Sequence, residues 1–256
     1  MHSSELSSVA ETRRSLNGRE HSVAVDVRGL SYRYPDGTVA LESVELRIGA
    51  GERVALMGLN GAGKSSLLMQ LNGILRGSGE VRILDHLLSA DSLKEIRRQV
   101  GFVFQNPDDQ LFSPTVWDDV AYGPLYMGLD PEEISRRVDR ALAAVGMSEA
   151  AGRMPHHLSL GQRKRVSLAT VLSMEPSILV LDEPSAGLDP RARRQLIELL
   201  WTLPQTLIFA THDMRFAHEI AGRALIMDRG RIVADGEAAQ VLADEPLLER
   251  YGLELP

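Results

Sequence analysis

The sequence predicts an α/β protein whose core is a buried parallel sheet joined to a phosphate-binding loop. Residues 58–65 fit the P-loop pattern G-x-x-x-x-G-K-[ST], and they stand between a short apolar run at 54–57 and a helical segment at 67–71. Two more runs, 178–181 and 206–210, are almost continuously apolar, which is typical of strands buried on both faces. Both runs end in polar residues, so we expect a ligand site at the carboxyl edge of this sheet.

Composition narrows the class of protein. The chain has 256 residues, 44% of them hydrophobic, which suits one large α/β domain or two small ones. A net charge of −7 argues against a nucleic-acid partner, because binding phosphate backbones needs a basic surface. Cysteine is absent, which excludes disulfides and thiolate metal sites. No run of 18 apolar residues predicts a membrane span, and residues 1–22 are interpreted as a disordered tail without a signal peptide.

The chain before the P-loop is predicted to form an antiparallel meander. Three β-type runs lie at 23–27, 30–34 and 44–48. Tyr32 and Tyr34 share one face of the second run, since side chains two residues apart in a strand point the same way. One of these rings could stack on a nucleotide base, and ordinary packing of both rings on the sheet is the alternative.

The chain after the P-loop alternates between strands and helices. Short strands are predicted at 80–84 and 100–104, followed by a separate helical insertion at 115–152 that Thr115 can cap. Ser159 precedes the next helix and offers a second helix N-terminus that can bind an anion. The basic run 163–165 in that helix is interpreted as a solvated face. A hairpin at 224–234 and a helical C-terminus complete the chain.

The P-loop carries the first part of the predicted chemistry. Its glycines let consecutive backbone N–H groups point into one concavity, where the helix N-terminus adds partial positive charge. Lys64 can reach the β and γ phosphates of a nucleotide, and Ser65 can place its hydroxyl on Mg²⁺. The residues expected to contact the nucleotide in this loop are Asn60, Gly61, Ala62, Gly63, Lys64, Ser65 and Ser66.

The polar strand ends carry the second part. Asp182 and Glu183 follow the run at 178–181 and point different ways, so Asp182 can hold Mg²⁺ while Glu183 acts as the general base for water. His212 ends the next apolar strand on the same edge and can contact the γ-phosphate. Gln105, which follows the strand at 100–104, can reach the metal or the attacking water with its amide oxygen.

In this order, the motifs resemble those of the ATPase subunit of ABC transporters, over residues 23–256. The P-loop matches that family's G-P-N-G-A-G-K-S-T except at Leu59 and Ser66, and residues 158–162 match its L-S-G-G-Q signature except at Leu160. The other matches are residues 182–184 at the end of Walker B, residues 185–189 at the D-loop, Gln105 at the Q-loop, His212 at the switch histidine and Tyr34 at the base-stacking aromatic.

The resemblance implies an ABC-type P-loop ATPase with a RecA-like parallel-sheet core and an antiparallel β subdomain. It also implies an α-helical subdomain at about 106–172 and a C-terminal extension at about 236–256. ATP and Mg²⁺ are the implied cofactors, and a second copy of the chain is the implied partner. In that dimer Ser159, Gly161, Gln162 and Asp189 contact the nucleotide held by the other copy. Leu160 replaces a glycine that could take positive φ, yet we expect activity because Ser159 and Gly161 are kept.

Within the family, residues 105–112 and 119–124 look like the energy-coupling-factor importers, and residues 232–236 look closest to the cobalt and nickel type. The implied partners are a transmembrane coupling subunit and a substrate-binding membrane subunit, which places the chain at the cytoplasmic face of the cell membrane. An ATPase for an organic vitamin is the main alternative.

Rival classes fit the sequence less well. A P-loop kinase has no use for the signature at 158–162. A DNA-repair or translation ATPase would need tandem cassettes or a long coiled coil. A nucleotide-gated scaffold would not need Glu183.

Overall fold

The computed structural model describes residues 22–253, so the tail predicted at residues 1–22 lies outside this range except for Ser22, as do residues 254–256. The strands in this range are β1 (Val23–Arg33), β2 (Val39–Gly49), β3 (Arg53–Met57), β4 (Ser78–Ile83), β5 (His86–Leu87), β6 (Val100–Val103), β7 (Ile178–Asp182), β8 (Thr206–Ala210), β9 (Arg223–Asp228) and β10 (Arg231–Glu237). The helices are α1 (Lys64–Gln70), α2 (Leu93–Gln99), α3 (Val116–Met127), α4 (Pro131–Ala144), α5 (Leu160–Leu172), α6 (Pro190–Thr202), α7 (Met214–Ile220), α8 (Ala238–Val241) and α9 (Glu245–Arg250).

The strands form two sheets. The first is antiparallel, in the order β2-β1-β4-β5. The second has the order β10-β9-β3-β8-β7-β6, and β9, β3, β8, β7 and β6 run parallel while β10 pairs antiparallel with β9. This arrangement confirms the predicted parallel core and antiparallel β region.

The parallel sheet is buried on both faces. Val54 and Leu56 belong to an apolar cluster shared with the antiparallel sheet and with α1 and α2. Ala55 and Met57 belong to a second cluster on the opposite face, shared with α3 to α7. Because alternate residues of a strand point to opposite faces, the interior positions of β3 and its parallel neighbours are apolar on both faces, and polar residues are confined to the strand ends. The continuous apolar runs in the sequence follow from this double burial.

Three features differ from the sequence prediction. The first two predicted strands are one continuous strand, β1, which ends at Arg33, so Tyr34 lies beyond it rather than on the same strand face as Tyr32. Helix α2 was not predicted. The helical segment predicted as a separate insertion has no core of its own, because its buried residues join the cluster that covers one face of the parallel sheet.

Sheet order fixes the position of the site. Strands β3, β8, β7 and β6 are consecutive neighbours and run the same way, so their carboxyl ends form one edge. One polar segment stands at each of these ends: the P-loop after β3, Thr211 and His212 after β8, Asp182 and Glu183 at the end of β7, and Gln105 after β6. In the described part of the chain no helix is long and apolar enough to cross a bilayer.

Candidate active site

The P-loop backbone requires glycine at two positions. Gly58 has φ 144°, and a β-carbon placed on it would lie 2.3 Å from the carbonyl oxygen of Met227. Gly63 has φ 105°, and a β-carbon there would lie 2.5 Å from the carbonyl oxygen of Ala40. These close approaches press the loop against β2 and β9, and α1 begins immediately after it at Lys64. Asn60 and Gly61, at the tip of the loop, are exposed.

Lys64 is buried and folds back over its own loop. Its Nζ atom donates to the carbonyl oxygens of Gly58 at 2.7 Å and Leu59 at 3.1 Å. Burial lowers the pKa of Lys64, and the negative charges of Glu183 and Asp182 oppose that lowering. The ammonium group therefore lies among loop carbonyls and within the field of two carboxylates, where an incoming phosphate can replace the carbonyls as its partner.

Asp182 is a buried carboxylate with an unused oxygen. Burial raises the pKa of Asp182, and a hydrogen bond from the Ser65 side chain acts in the opposite direction. Its Oδ1 atom is buried and has no hydrogen-bond partner. Gln105 stands exposed after β6, the strand next to β7. A carboxylate, a hydroxyl and an amide oxygen are the ligand types that Mg²⁺ prefers, so the residues present fit this ion.

Glu183 is held in an unusual backbone conformation and reaches a histidine. Its φ is 45°, in the left-handed region that side chains other than glycine rarely adopt. Its Oε2 atom lies 3.0 Å from Nδ1 of His212, whose ring is exposed, while Glu183 itself is buried. The pair therefore connects the buried carboxyl edge of β7 with the surface at the end of β8.

Tyr34 is oriented by two contacts. Its hydroxyl lies 2.9 Å from Oγ of Ser66, and its ring meets the edge of Tyr32 with the centroids 5.0 Å apart. Ser66 is the hydroxyl residue that departs from the family pattern, and it anchors the aromatic ring to the first turn of α1. Tyr32 packs against the apolar cluster between the sheets. The alternative interpretation, in which both rings pack on the sheet, therefore applies to Tyr32.

The signature residues make local contacts. Ser159 caps α5, and Ser159 and Gln162 form a reciprocal capping box with distances of 3.3 and 2.9 Å. Asp189 caps α6 by accepting from the backbone N–H groups of Arg191 and Ala192. These residues thus shape two helix N-termini, and their hydrogen bonds do not join them to the P-loop of the same chain.

Leu160 packs beside the D-loop. A β-carbon placed on Gly187, where φ is 72°, would lie 2.9 Å from Cδ2 of Leu160. The side chain that replaces the family's glycine therefore occupies the space next to another glycine, while Ser159 keeps its capping geometry.

Two residues of the site were not found from the sequence. Lys164, which was assigned to a solvated face, is buried, and its Nζ donates to the carbonyl oxygen of Glu183 at 3.0 Å. The prediction was wrong because Lys164 lies at helical spacing from the buried Leu168 and Val171, a pattern that the sequence contains. Gln110 lies in the segment 105–112 but was given no role of its own; it accepts from Phe104 N–H and donates to α5.

A P-loop, a buried acidic strand end and a histidine meet at one edge of a parallel sheet, which defines the class of P-loop nucleotide-binding proteins. A family model described as ABC transporter matches residues 41–186. The chain belongs to the ABC transporter family. The fold and the ATPase activity expected from the sequence are those of this family.

Relatives and solved structures agree with this assignment. A putative ABC transporter ATP-binding protein of Streptomyces avermitilis is 53% identical over 91% of this chain and 89% of its own length. The energy-coupling factor transporter ATP-binding protein EcfA of Methanothermobacter thermautotrophicus is 46% identical over 91% of this chain and 76% of its own. The structure of cbiO1 from Clostridium perfringens, part of the ABC transporter complex cbiONQ, has a TM-score of 0.79 at 39% identity and covers 92% of this chain and 96% of its own.

A dimeric post-hydrolysis structure of the ATP-binding cassette MJ0796, bound to ADP and Pi, has a TM-score of 0.75 at 29% identity and covers 84% of this chain and 98% of its own. Together these similarities make the chain an ATP-binding subunit of the energy-coupling-factor type.

Proposed function

We propose that two copies of this chain close around two ATP molecules and thereby power an importer of the energy-coupling-factor type. The observation that carries the proposal is the division of the site: Lys64, Asp182 and Glu183 meet at one sheet edge, whereas Ser159 and Gly161 sit at a separate helix N-terminus. A helix N-terminus binds anions, and a second copy can offer it to a γ-phosphate. The dimeric cassette among the structural neighbours supports this arrangement.

Each residue has a distinct proposed role. In one copy, Tyr34 stacks on the base, residues 60–66 bind the phosphates, and Lys64 neutralises charge on the β and γ phosphates. In the other copy, Ser159, Gly161, Gln162 and Asp189 complete the same site. Mg²⁺, held by Ser65, Gln105 and Asp182, would screen the phosphate charges when bound.

Hydrolysis is proposed to use Glu183 and His212 on an attacking water. Glu183 accepts the proton of the water as it attacks the γ-phosphorus in line, and His212 stabilises the charge that develops on the transferred group. A general base contributes about 10²- to 10⁴-fold in rate. Loss of the γ-phosphate then removes the group that joins the two copies, so dimer opening follows hydrolysis.

The experiment is to compare Glu183→Gln with Lys64→Ala in size-exclusion chromatography with multi-angle light scattering, with and without ATP. Glu183→Gln should bind ATP, hydrolyse it at least about 100-fold more slowly than the parent, and run as a dimer. Lys64→Ala should stay monomeric with ATP. Dimerisation that is indifferent to nucleotide in both variants, or turnover of Glu183→Gln at the parent rate, would overturn the proposal.

A partly exposed apolar surface supports membrane-embedded partners. Four large side chains of the α3 region are between 54% and 68% exposed, and we call them the α3 surface: Phe112, Tyr122, Leu125 and Tyr126. The Phe112 and Tyr122 rings contact each other edge to face at 5.3 Å. Exposed clusters of this kind mark protein contacts. We propose that a transmembrane coupling subunit docks here, with a substrate-binding membrane subunit beyond it, which places the chain at the cytoplasmic face of the membrane.

The proposed cargo is cobalt or nickel ion. This step is supported by residues 232–236 and by the structural neighbour titled cbiO1. A vitamin importer is the competing outcome. Uptake of radiolabelled cobalt, nickel and vitamins should be measured in cells that express the chain with its membrane partners. Metal uptake that is lost in Lys64→Ala supports the proposal, and vitamin uptake that shows the same loss contradicts it.

A further inference from the structure

Lys164 is a buried residue of α5, the helix that begins at the signature residues and is called the signature helix below. It faces the end of β7, where Glu183 is proposed as the base. It sits five residues after Ser159, the N-cap of α5, and only 7% of it is exposed. Its basic neighbours bond elsewhere, Arg163 to the carbonyl oxygen of Leu158 and Arg165 to that of Val145. Lys164 alone of these three points across to β7, where Nζ donates to the Glu183 carbonyl oxygen at 3.0 Å.

The backbone of Glu183 needs outside support. A left-handed conformation is unfavourable for a residue other than glycine, and it persists where surrounding contacts fix it. Three hydrogen bonds do so here. The N–H of Glu183 donates to the carbonyl oxygen of Ala210, and its own carbonyl oxygen accepts from Ala186 N–H at 3.1 Å and from Lys164. The first two are backbone bonds within the sheet edge and the following turn, whereas the bond from Lys164 comes from a different layer.

The charges around this bond balance. Lys64, Lys164, Asp182 and Glu183 are all buried, which gives two cations and two carboxylates in one region. The carboxylates raise the pKa of Lys164, although burial has the larger effect and lowers it to about 8. Burial therefore disfavours the charged form of Lys164 at this position. Its Nζ nevertheless donates a hydrogen bond to the backbone of Glu183, the residue proposed as the base.

We propose that Lys164 is a positioning residue that ties the signature helix to Glu183, so that the N-terminus of α5 and the base of the same chain move together. This inference rests on the proposed dimer. There, Ser159 contacts the nucleotide of one site while Glu183 acts at the other. When the N-terminus of α5 closes on the nucleotide held by the partner copy, the bond from Lys164 would fix the backbone of Glu183. The Glu183 carboxylate would thereby be positioned at the nucleotide held by the same copy. Lys164 would couple the two sites of the dimer.

The test replaces Lys164 by Met, which keeps an unbranched side chain of similar length without the donor. Arg165→Met is the matched control, because it also removes a cation from α5 and one hydrogen bond to a backbone carbonyl outside that helix, that of Val145. With the full-length protein, Lys164→Met should lower kcat for ATP at least about 10-fold, leave the KM for ATP within about 2-fold, and bring the Hill coefficient for ATP towards 1. Lys164→Gln, which keeps a donor, should recover part of kcat and remains available if the Met variant does not fold.

A double-mutant cycle separates positioning of the base from general destabilisation. In the Glu183→Gln background, Lys164→Met should not slow the residual single-turnover hydrolysis further, because the group that it positions is absent. An equal loss in both backgrounds, or kcat and cooperativity that match those of Arg165→Met, would overturn the inference. The proposed dimer fails separately: the parent would then show no ATP-dependent pairing, whatever Lys164→Met does to its kcat.

Discussion

Two glycines of one loop show how a single β-carbon can be tolerated or excluded. Gly58→Ala would place a β-carbon 2.3 Å from a backbone oxygen, whereas Gly61→Ala would meet nothing within 4 Å. Both residues have positive φ, 144° and 81°. We expect Gly61→Ala to lower the free energy of unfolding by about 1 kcal/mol, from backbone strain alone. Gly58→Ala should lower it by about 3 kcal/mol or more, because the loop or β9 must move as well.

Urea unfolding of the two variants without nucleotide measures this difference. Gly61→Ala is the control for Gly58→Ala, because both variants replace a glycine of the same loop by alanine and change composition and helix propensity equally. Equal losses of stability in the two variants would show that the contact with Met227 does not restrict the loop.

The buried ammonium of Lys164 makes stability depend on pH. Its pKa is about 8 in the folded protein, where burial lowers it from 10.5. Between these two values the unfolded chain keeps a proton that the folded chain has lost, so the free energy of unfolding contributed by this group rises with pH. Below about pH 8 the cost of burying the charge is fully present. We expect the stability of the parent minus that of Lys164→Met to increase by about 1 kcal/mol per pH unit from pH 8 to 10.

This pH dependence is measured by denaturant unfolding of both proteins at several pH values. Other lysines, including Lys64, titrate in both and cancel in the difference. Arg165→Met provides the control, because an arginine keeps its proton throughout this range. A stability difference that stays constant or falls with pH would mean that the Lys164 ammonium is not disfavoured by folding.

At the scale of elements, one glutamine fastens the loop after β6 to the signature helix. Gln110 accepts from Phe104 N–H at 3.1 Å and donates to the Ser167 carbonyl at 2.8 Å and Thr170 Oγ1 at 2.7 Å. Gln110→Met leaves a partly buried N–H group without a partner, which should cost about 2 kcal/mol. Asp109→Ala, an exposed neighbour, should change stability by less than about 0.5 kcal/mol. Thermal or urea unfolding compares them, and a harmless Gln110→Met would show that this link is weak.

The sequence predicted elements best where burial forces a pattern. Strands β7 and β8 are buried along their whole length, so their interior residues had to be apolar, and the polar residues at and beyond their carboxyl ends stood out. Helix α2 escaped prediction because it has seven residues and a single buried one, Ile96, so no helical period can develop. Lys164 escaped because the basic run was interpreted as one face, although helical geometry turns its three members in different directions.

Contacts between distant parts of the chain lay beyond the sequence. The hydrogen bond between the Tyr34 and Ser66 hydroxyls joins residues 32 positions apart, and the one from Lys164 to Glu183 joins residues 19 positions apart. The identities of these residues are compatible with many partners, and only the stacking of the layers selects these pairs. The P-loop, by contrast, was predictable because its chemistry is local: one strand end, one turn and one helix N-terminus supply all of it.

At the scale of the whole molecule, the nucleotide edge and the α3 surface should be separable by mutation. Tyr126 is 66% exposed on α3, so Tyr126→Asp should change the free energy of unfolding of the isolated chain by less than about 0.5 kcal/mol. Its ATP hydrolysis should stay at the level of the parent. In the proposed complex with a membrane subunit, a carboxylate at this position would be buried against an apolar partner, which costs several kcal/mol. Ser135→Asp on α4, also exposed, adds the same charge away from this surface.

Pull-down of detergent-solubilised membrane partners, with ATP hydrolysis measured alongside, compares the two variants. We expect at least a 10-fold loss of partner binding for Tyr126→Asp alone. Equal binding by both variants would place the docking surface elsewhere, while a loss of hydrolysis in the isolated Tyr126→Asp chain would show that the α3 surface and the nucleotide edge are not independent.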